Sequence, residues 1–128
     1  MPLLTALRSR FIFDHHGKFF AGVEIESAEI AALKTLLDRG NCWFKFSGCY
    51  ESSRSGPPDY EDIAVIARHM AAYAPERIIW GSNWPHNMIT ETEDYIDDAA
   101  MLDLVLGWIP AAEHKRALVD NPAELFDF

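Results

Sequence analysis

Three short apolar stretches begin at residues 10, 41 and 77, separated by intervals of 31 and 36 residues, and each leads toward a segment with helical spacing of apolar residues. That repeat suits successive parallel strands joined by right-handed helical crossovers. The order is therefore βαβαβα. Length limits how such a sheet can close. The chain has 128 residues, one domain at most, whereas a closed parallel barrel needs eight strands and roughly 250 residues. Three strands leave two open sheet edges, which invite pairing with another chain.

The elements can be placed from periodicity and punctuation. Arg10 to Asp14 reads as the first strand, leading to His15-His16-Gly17. Ser27 is an N-cap for a helix running to about Arg39, with Ile30, Leu33, Leu36 and Leu37 on one face and Gly40 as its stop. Asn41 to Ser47 is the second strand, and its alternation separates Cys42, Phe44 and Phe46 from Trp43, Lys45 and Ser47. A Ser-, Gly- and Pro-rich loop follows from Gly48 to Pro58. Asp59 is expected to cap the next helix, with Asp62 completing a capping box; Ile63, Ile66, Ala67, Met70 and Ala74 form its apolar face before Pro75 ends it. Arg77 to Trp80 is the third strand. Thr90 to Glu93 reads as a capping box for a helix reaching about Trp108, where Pro110 breaks it. A last short helix, from about Ala112 to Val119, leads into Asn121-Pro-Ala-Glu-Leu-Phe126. No low-complexity tract or linker divides the chain.

Composition narrows the function classes. The formal charge of −9 argues against nucleic acid and anionic membranes as partners, since both require a positive surface. An anionic substrate must then be held by local cations. No apolar run approaches the ~20 residues of a membrane span, and the first ten residues lack the pattern of a signal peptide. A cytoplasmic location is the expectation. Cys42 and Cys49 are expected to be reduced, structural thiols, and two cysteines give little support to a zinc–cysteine cluster.

Parallel α/β folds keep their chemistry at the carboxyl ends of strands, so the polar residues there are the candidates. Asp14-His15-His16-Gly17 puts two imidazoles at one such end. By strand parity His15 lies with Phe11 and Phe13, and His16 with Ile12 and Asp14. The plainer alternative is that both are ordinary loop histidines. Lys45 and Ser47 share a strand face, which suits a polar barrel interior, although a lysine can also snorkel along an edge. Arg54 has the geometry to bind a carboxylate, or it belongs to a flexible surface loop. The third strand ends in Gly81-Ser-Asn83-Trp84-Pro85-His86. Asn83 can donate to an oxyanion or position water but cannot take a proton as a carboxylate does; the plainer alternative is an Asx turn. His69 and His114 fall in helical stretches and are read as structural or surface residues.

Taken in order, Asp-His-His-Gly, Trp-Phe-Lys-Phe-Ser-Gly, Gly-Pro-Pro-Asp-Tyr, Pro-Glu-Arg-Ile-Ile-Trp-Gly-Ser-Asn-Trp-Pro-His and Asn-Pro-Ala-Glu-Leu-Phe resemble the amidohydrolase-related family. The nearest branch is the 2-pyrone-4,6-dicarboxylate lactonase-like hydrolases, and the likeness covers nearly all of the chain. It implies an α/β fold: a partial TIM (β/α)8 barrel, with residues 1–128 as a single C-terminal portion made of three βα units with parallel strands plus a short C-terminal helix. It also implies hydrolysis of a lactone or similar C–O or C–N bond in a small carboxylated molecule. On this resemblance His15 polarises the carbonyl, Asn83 places water, and His86 completes the catalytic set. Lys45, Ser47, Arg54 and Trp84 contact substrate.

Three departures from the family pattern matter. No His-x-His pair occurs, so zinc or another divalent metal, which some members carry, would need ligands from outside this chain. Asn83 stands where the lactonases carry an aspartate as general base. Glu51 occupies the loop position expected to hold an arginine for the substrate carboxylate. Two alternatives therefore accompany the lactonase reading: a metal-dependent decarboxylase of the same superfamily, and a non-catalytic half-barrel that serves as an interaction module. The chain is expected to be incomplete as an enzyme and to self-associate through its open edges.

Overall fold

The computed structural model describes residues 2–19 and 22–128; Met1, Phe20 and Ala21 lie outside the described residues. The elements are α1 (Pro2–Ala6), β1 (Phe11–Phe13), α2 (Ala28–Asp38), β2 (Cys42–Phe46), α3 (Glu61–Tyr73), β3 (Ile78–Trp80), α4 (Asp98–Leu106) and α5 (Asn121–Phe126). The strands form one parallel sheet in the order β1-β2-β3. Phe13 pairs with Phe44, and Phe46 with Trp80, so all three carboxyl ends emerge at the same side. Among the described residues, the outer edges of β1 and β3 pair with no further strand.

Alternation along β2 sorts the two faces as the sequence requires. Cys42, Phe44 and Phe46 are buried with Ile78 against the apolar faces of α2 (Ile30, Leu33, Leu36, Leu37) and α3 (Ile63, Ile66, Met70). Met101, Val105 and Trp108 close that core from α4 and the turn beyond it. On the opposite face Trp43 packs with Ile79 and Leu125, with Ile12 beside them. The Arg77 guanidinium lies 4.7 Å from the Trp43 ring centroid, a cation–π contact that covers the ring. Both cysteines are free and buried, and burial pushes their thiols up to about 11 for Cys42 and about 12 for Cys49.

The terminal helix α5 is tied to the amino ends of the strands. Asn121 Nδ2 donates to the carbonyls of Pro75 (2.8 Å) and Ile78 (2.7 Å). Arg10 pairs with Asp127 at 2.6 Å and Arg77 with Glu124 at 3.0 Å. This leaves the carboxyl ends of the strands clear for a site.

Several expected boundaries move. Ser27 does cap α2, accepting from the Ile30 N–H. In contrast, α3 begins at Glu61 after a left-handed Tyr60, and neither Asp59 nor Asp62 caps it. Asp62 accepts from Ser53 Oγ, Ser55 Oγ and the Arg54 N–H instead. Its carboxyl is held down at about 2: burial opposes this, and the bonds from Ser53, Arg54 and Ser55 outweigh it. The Thr90–Glu93 capping box is also displaced. Only a single 3-10 turn forms at Thr92–Asp94, and Asp97 caps α4 through the N–H groups of Ala99 and Ala100. The last helical segment does not stop at Val119; a π turn at Arg116–Asp120 runs into α5. His114 is structural: its Nε2 bonds the carbonyls of Leu106 and Ile109 beyond α4. No described helix is long and apolar enough to cross a membrane.

Candidate functional site

The loops after the three strands converge on one polar cluster, and their backbones are unusual. His15, His16, Lys18, Asn83 and His86 all have φ between 47° and 66°. This left-handed region costs a non-glycine residue about 1–2 kcal/mol, and such residues concentrate at functional sites.

This backbone reverses the parity expected for the two histidines. Strand alternation ends at Phe13, and the consecutive left-handed residues turn His15 to the Asp14 side and His16 into the core. His16 stacks on Phe46 with 4.9 Å between centroids and meets Trp108 edge-on. Its Nδ1 donates to the Ser47 carbonyl at 3.0 Å. Burial drives its pKa down to about 4, the bond to Ser47 only partly opposing this. His16 is therefore a neutral core residue.

His15 carries the site geometry. Its Nδ1 lies 2.6 Å from Asp14 Oδ1, so that nitrogen bears the proton and Nε2 faces Glu51 Oε1 at 3.6 Å. Lys45 Nζ sits 2.9 Å from Asp14 Oδ2, and Ser47 Oγ donates to Asp14 Oδ1 at 3.1 Å. Burial would raise the Asp14 carboxyl, but Lys45 and His15 hold it at about 2. Lys45 and Ser47 thus act on the carboxylate that orients His15.

Asn83 is the hub on the other side. Its Nδ2 donates to Tyr50 Oη at 2.9 Å and to Glu51 Oε1 at 2.7 Å. The carboxylate fixes the amide orientation, since the opposite one would set two acceptors against each other. Both N–H bonds are spent, so Asn83 offers only its Oδ1, an acceptor. The expected donation to an oxyanion is therefore not available in this arrangement. Glu51, its side chain only 8 % exposed, also binds Lys18 Nζ at 2.6 Å. Burial opposes ionisation of Glu51, yet Lys18, Asn83 and His15 keep its carboxyl below the usual range.

The remaining candidates divide. His86 is completely buried and meets the cluster through Tyr50 Oη, 2.6 Å from its Nδ1. Trp84 is 72 % exposed, and its backbone N–H donates to Ser82 Oγ at 3.1 Å. Arg54 lines a neighbouring cavity of about 650 Å³ with Lys18, Gly22, Val23 and Glu24. Tyr50, Glu51 and Lys18 also belong to the cluster without being site candidates in the sequence, and Asp14 joins them from the Asp-His-His-Gly motif. For Glu51 the sequence did carry a signal, an acid where an arginine was expected.

Gly48 separates the two halves. Its φ is +54°, and a Cβ there would lie 2.9 Å from Asn83 Nδ2 and 3.0 Å from His15 Cδ2. Gly48→Ala is expected to cost about 1–2 kcal/mol from backbone strain and to push Asn83 and His15 apart. Denaturant unfolding reads the first effect, and the His15 ring resonances read the second.

Among the described residues, no three His, Cys, Asp or Glu side chains are grouped to hold a metal ion. The Asp14–His15–Glu51 arrangement sets a carboxylate opposite each ring nitrogen of His15, and these residues do not form a complete metal site of their own.

The family described as Amidohydrolase matches residues 3–128. D-galactarolactone isomerase of Agrobacterium fabrum is 58% identical over 128 residues, covering 98% of this chain and 43% of that protein. A 2-pyrone-4,6-dicarboxylate hydrolase of Comamonas testosteroni is 32% identical over 132 residues, covering 95% of this chain and 42% of its own length. The apo crystal structure of an Agrobacterium tumefaciens protein superposes with a TM-score of 0.94 at 56% identity, covering 99% of this chain and 45% of that one. The chain thus spans less than half the length of the curated relatives it matches.

Proposed function

Because the chain belongs to the amidohydrolase family, we propose that its strand-end cluster handles a lactone of a small carboxylated molecule by acyl transfer. Residues 1–128 then form the C-terminal part of a (β/α)8 barrel. The strand order β1-β2-β3 and the 45% coverage of a solved relative support that reading. The open edges of β1 and β3 favour self-association, which light scattering would register as a discrete dimer or larger species.

The observation that carries the proposal is His15 held between Asp14 and Glu51 at the mouth of the sheet. Asp14, itself held by Lys45, fixes the Nδ1 proton, while Nε2, 3.6 Å from Glu51, is beyond hydrogen-bond distance of that carboxylate and stays available to substrate. With a second proton on Nε2 the ring donates to the lactone carbonyl and stabilises the charge that grows on it as a hydroxyl oxygen attacks. The Asn83 Oδ1 accepts from a neighbouring substrate hydroxyl, or from the second O–H of water, and so positions the attacking oxygen. The C–O bond to the ring oxygen then breaks, and that oxygen takes up a proton. Lys18 and Arg54, lining the adjoining cavity, supply positive charge for the substrate carboxylate.

The attacking hydroxyl belongs either to water or to the substrate. Asn83 does not choose between them, because an amide strips a proton from neither; a polyhydroxylated lactone that supplies its own nucleophile becomes an isomeric lactone. The 58% identical relative named D-galactarolactone isomerase supports this second reading. The test is incubation of the protein, at a mass defined by light scattering, with lactones of hydroxylated dicarboxylic acids, followed by NMR. Free acid marks hydrolysis and a second lactone marks isomerisation. A folded protein that converts none of them overturns the proposal.

A further inference from the structure

The site described so far has an electrophile and a positioning amide but no assigned acceptor for the proton of the attacking hydroxyl. Among the described residues, two titratable side chains bond the Asn83 amide: Glu51 and Tyr50. Both Glu51 oxygens are engaged, Oε1 by Asn83 and Oε2 by Lys18. That bonding stabilises its ionised form and makes it a poor base.

Tyr50 is differently placed. Its Oη accepts from Asn83 Nδ2 at 2.9 Å and lies 2.6 Å from His86 Nδ1. Behind that ring, His86 Nε2 lies 3.0 Å from Asp98 Oδ1 at the start of α4. The two atoms are at ion-pair distance but out of line, so each lacks an aligned hydrogen-bond partner. A carboxylate 3.0 Å from Nε2 favours a proton on that nitrogen, which leaves Nδ1 of the neutral ring as an acceptor. The phenol proton then points at His86. The ring is also boxed in by Tyr95 at 5.2 Å, whose own hydroxyl donates to the Pro85 carbonyl and leaves the relay alone. The charged and titratable neighbours acting on the phenol are Glu51, Cys49 and Asp98.

We propose that Tyr50, backed by His86 and Asp98, is the group that takes the proton of the attacking hydroxyl and returns it to the departing ring oxygen. This rests on the acyl-transfer reading of the same cluster. As the nucleophile's oxygen bonds to the carbonyl carbon, its proton passes to Tyr50 Oη while the phenol proton passes to His86 Nδ1. The resulting imidazolium faces Asp98. The two protons move back as the C–O bond to the ring oxygen breaks, so the relay ends as it began and no other reactant is consumed. Burial raises the phenol above its ordinary pKa, consistent with a hydroxyl that exchanges protons without resting as phenolate. Tyr50 is the catalytic residue; His86 and Asp98 are positioning residues.

Two measurements test this on the protein itself. In ¹⁵N-histidine spectra His86 is expected to carry its proton on Nε2 with an unprotonated, hydrogen-bonded Nδ1. Asp98→Asn, at a partly exposed helix start, is expected to give a tautomer mixture. A neutral ring protonated at Nδ1 in the wild-type protein overturns the relay. With any lactone the protein converts, Tyr50→Phe is expected to lower kcat by about 10²–10⁴-fold with little change in KM, and Asp98→Asn to lower it less. Full activity in Tyr50→Phe alongside its loss in Glu51→Gln overturns the assignment in favour of Glu51. Absence of wild-type turnover overturns the acyl-transfer reading, while the tautomer measurement still decides the relay.

Discussion

His15→Gln is expected to lower kcat for a converted lactone by about 10²–10⁴-fold while the protein stays folded. The imidazole is 17 % exposed, and its bonding partners are the polar Asp14 and Ser47. Its loss therefore removes the donor at Nε2 without opening a cavity. Glutamine retains a hydrogen-bonding group but cannot carry the charge that Asp14 and Glu51 flank. Circular dichroism and thermal unfolding close to wild type, combined with a collapse in kcat, is the expected pair of results. Undiminished kcat in a folded His15→Gln protein would remove His15 from the mechanism. His16→Leu supplies the contrast, since it should act on stability rather than on the chemical step.

Stability is expected to fall in two stages on acidification. His16 has a folded pKa of about 4 against an ordinary value of 6.5. Between those values the unfolded chain binds a proton that the folded one refuses, so stability declines as pH falls through that window. At 1.36 kcal/mol per unit, this fully buried ring contributes on the order of 3 kcal/mol by the bottom of the window. Asp14 and Asp62, each near 2 when folded against 3.8 ordinarily, add a second decline as pH drops from 3.8 toward 2. That stage is smaller than the shifts suggest, because solvent screens partly exposed pairs. Urea unfolding across pH reads both stages. His16→Leu should erase the first and keep the second; an unchanged profile in that variant would show that another group is responsible.

Much of the fold was legible in local patterns. The Ser27 cap, the apolar faces of α2 and α3 and the alternation of β2 each rest on residues close in sequence. The start of α4 was not legible, because Asp97 captures the helix ahead of an equally plausible Thr90 pattern. Nor was the loop role of Asp62. Its carboxylate accepts three donors from residues 53–55, and that outweighs a cap.

The candidate site shows the same division. Sequence alone determined that His15, Ser47 and Asn83 stand at strand carboxyl ends, because the βα order fixes which end of the sheet they reach, and that Lys45 shares the Ser47 face of β2, because strand periodicity fixes it. Family membership was likewise carried by the ordered motifs. Only the tertiary structure decided that His15 rather than His16 faces the polar cluster, since consecutive left-handed residues cancel strand parity. It also decided that Glu51 and Tyr50 take both protons of the Asn83 amide, and that His86 lies behind Tyr50 instead of in the open. Hydrogen-bond partners more than thirty positions apart set those roles, and no local propensity encodes which of several donors a given carboxylate will meet.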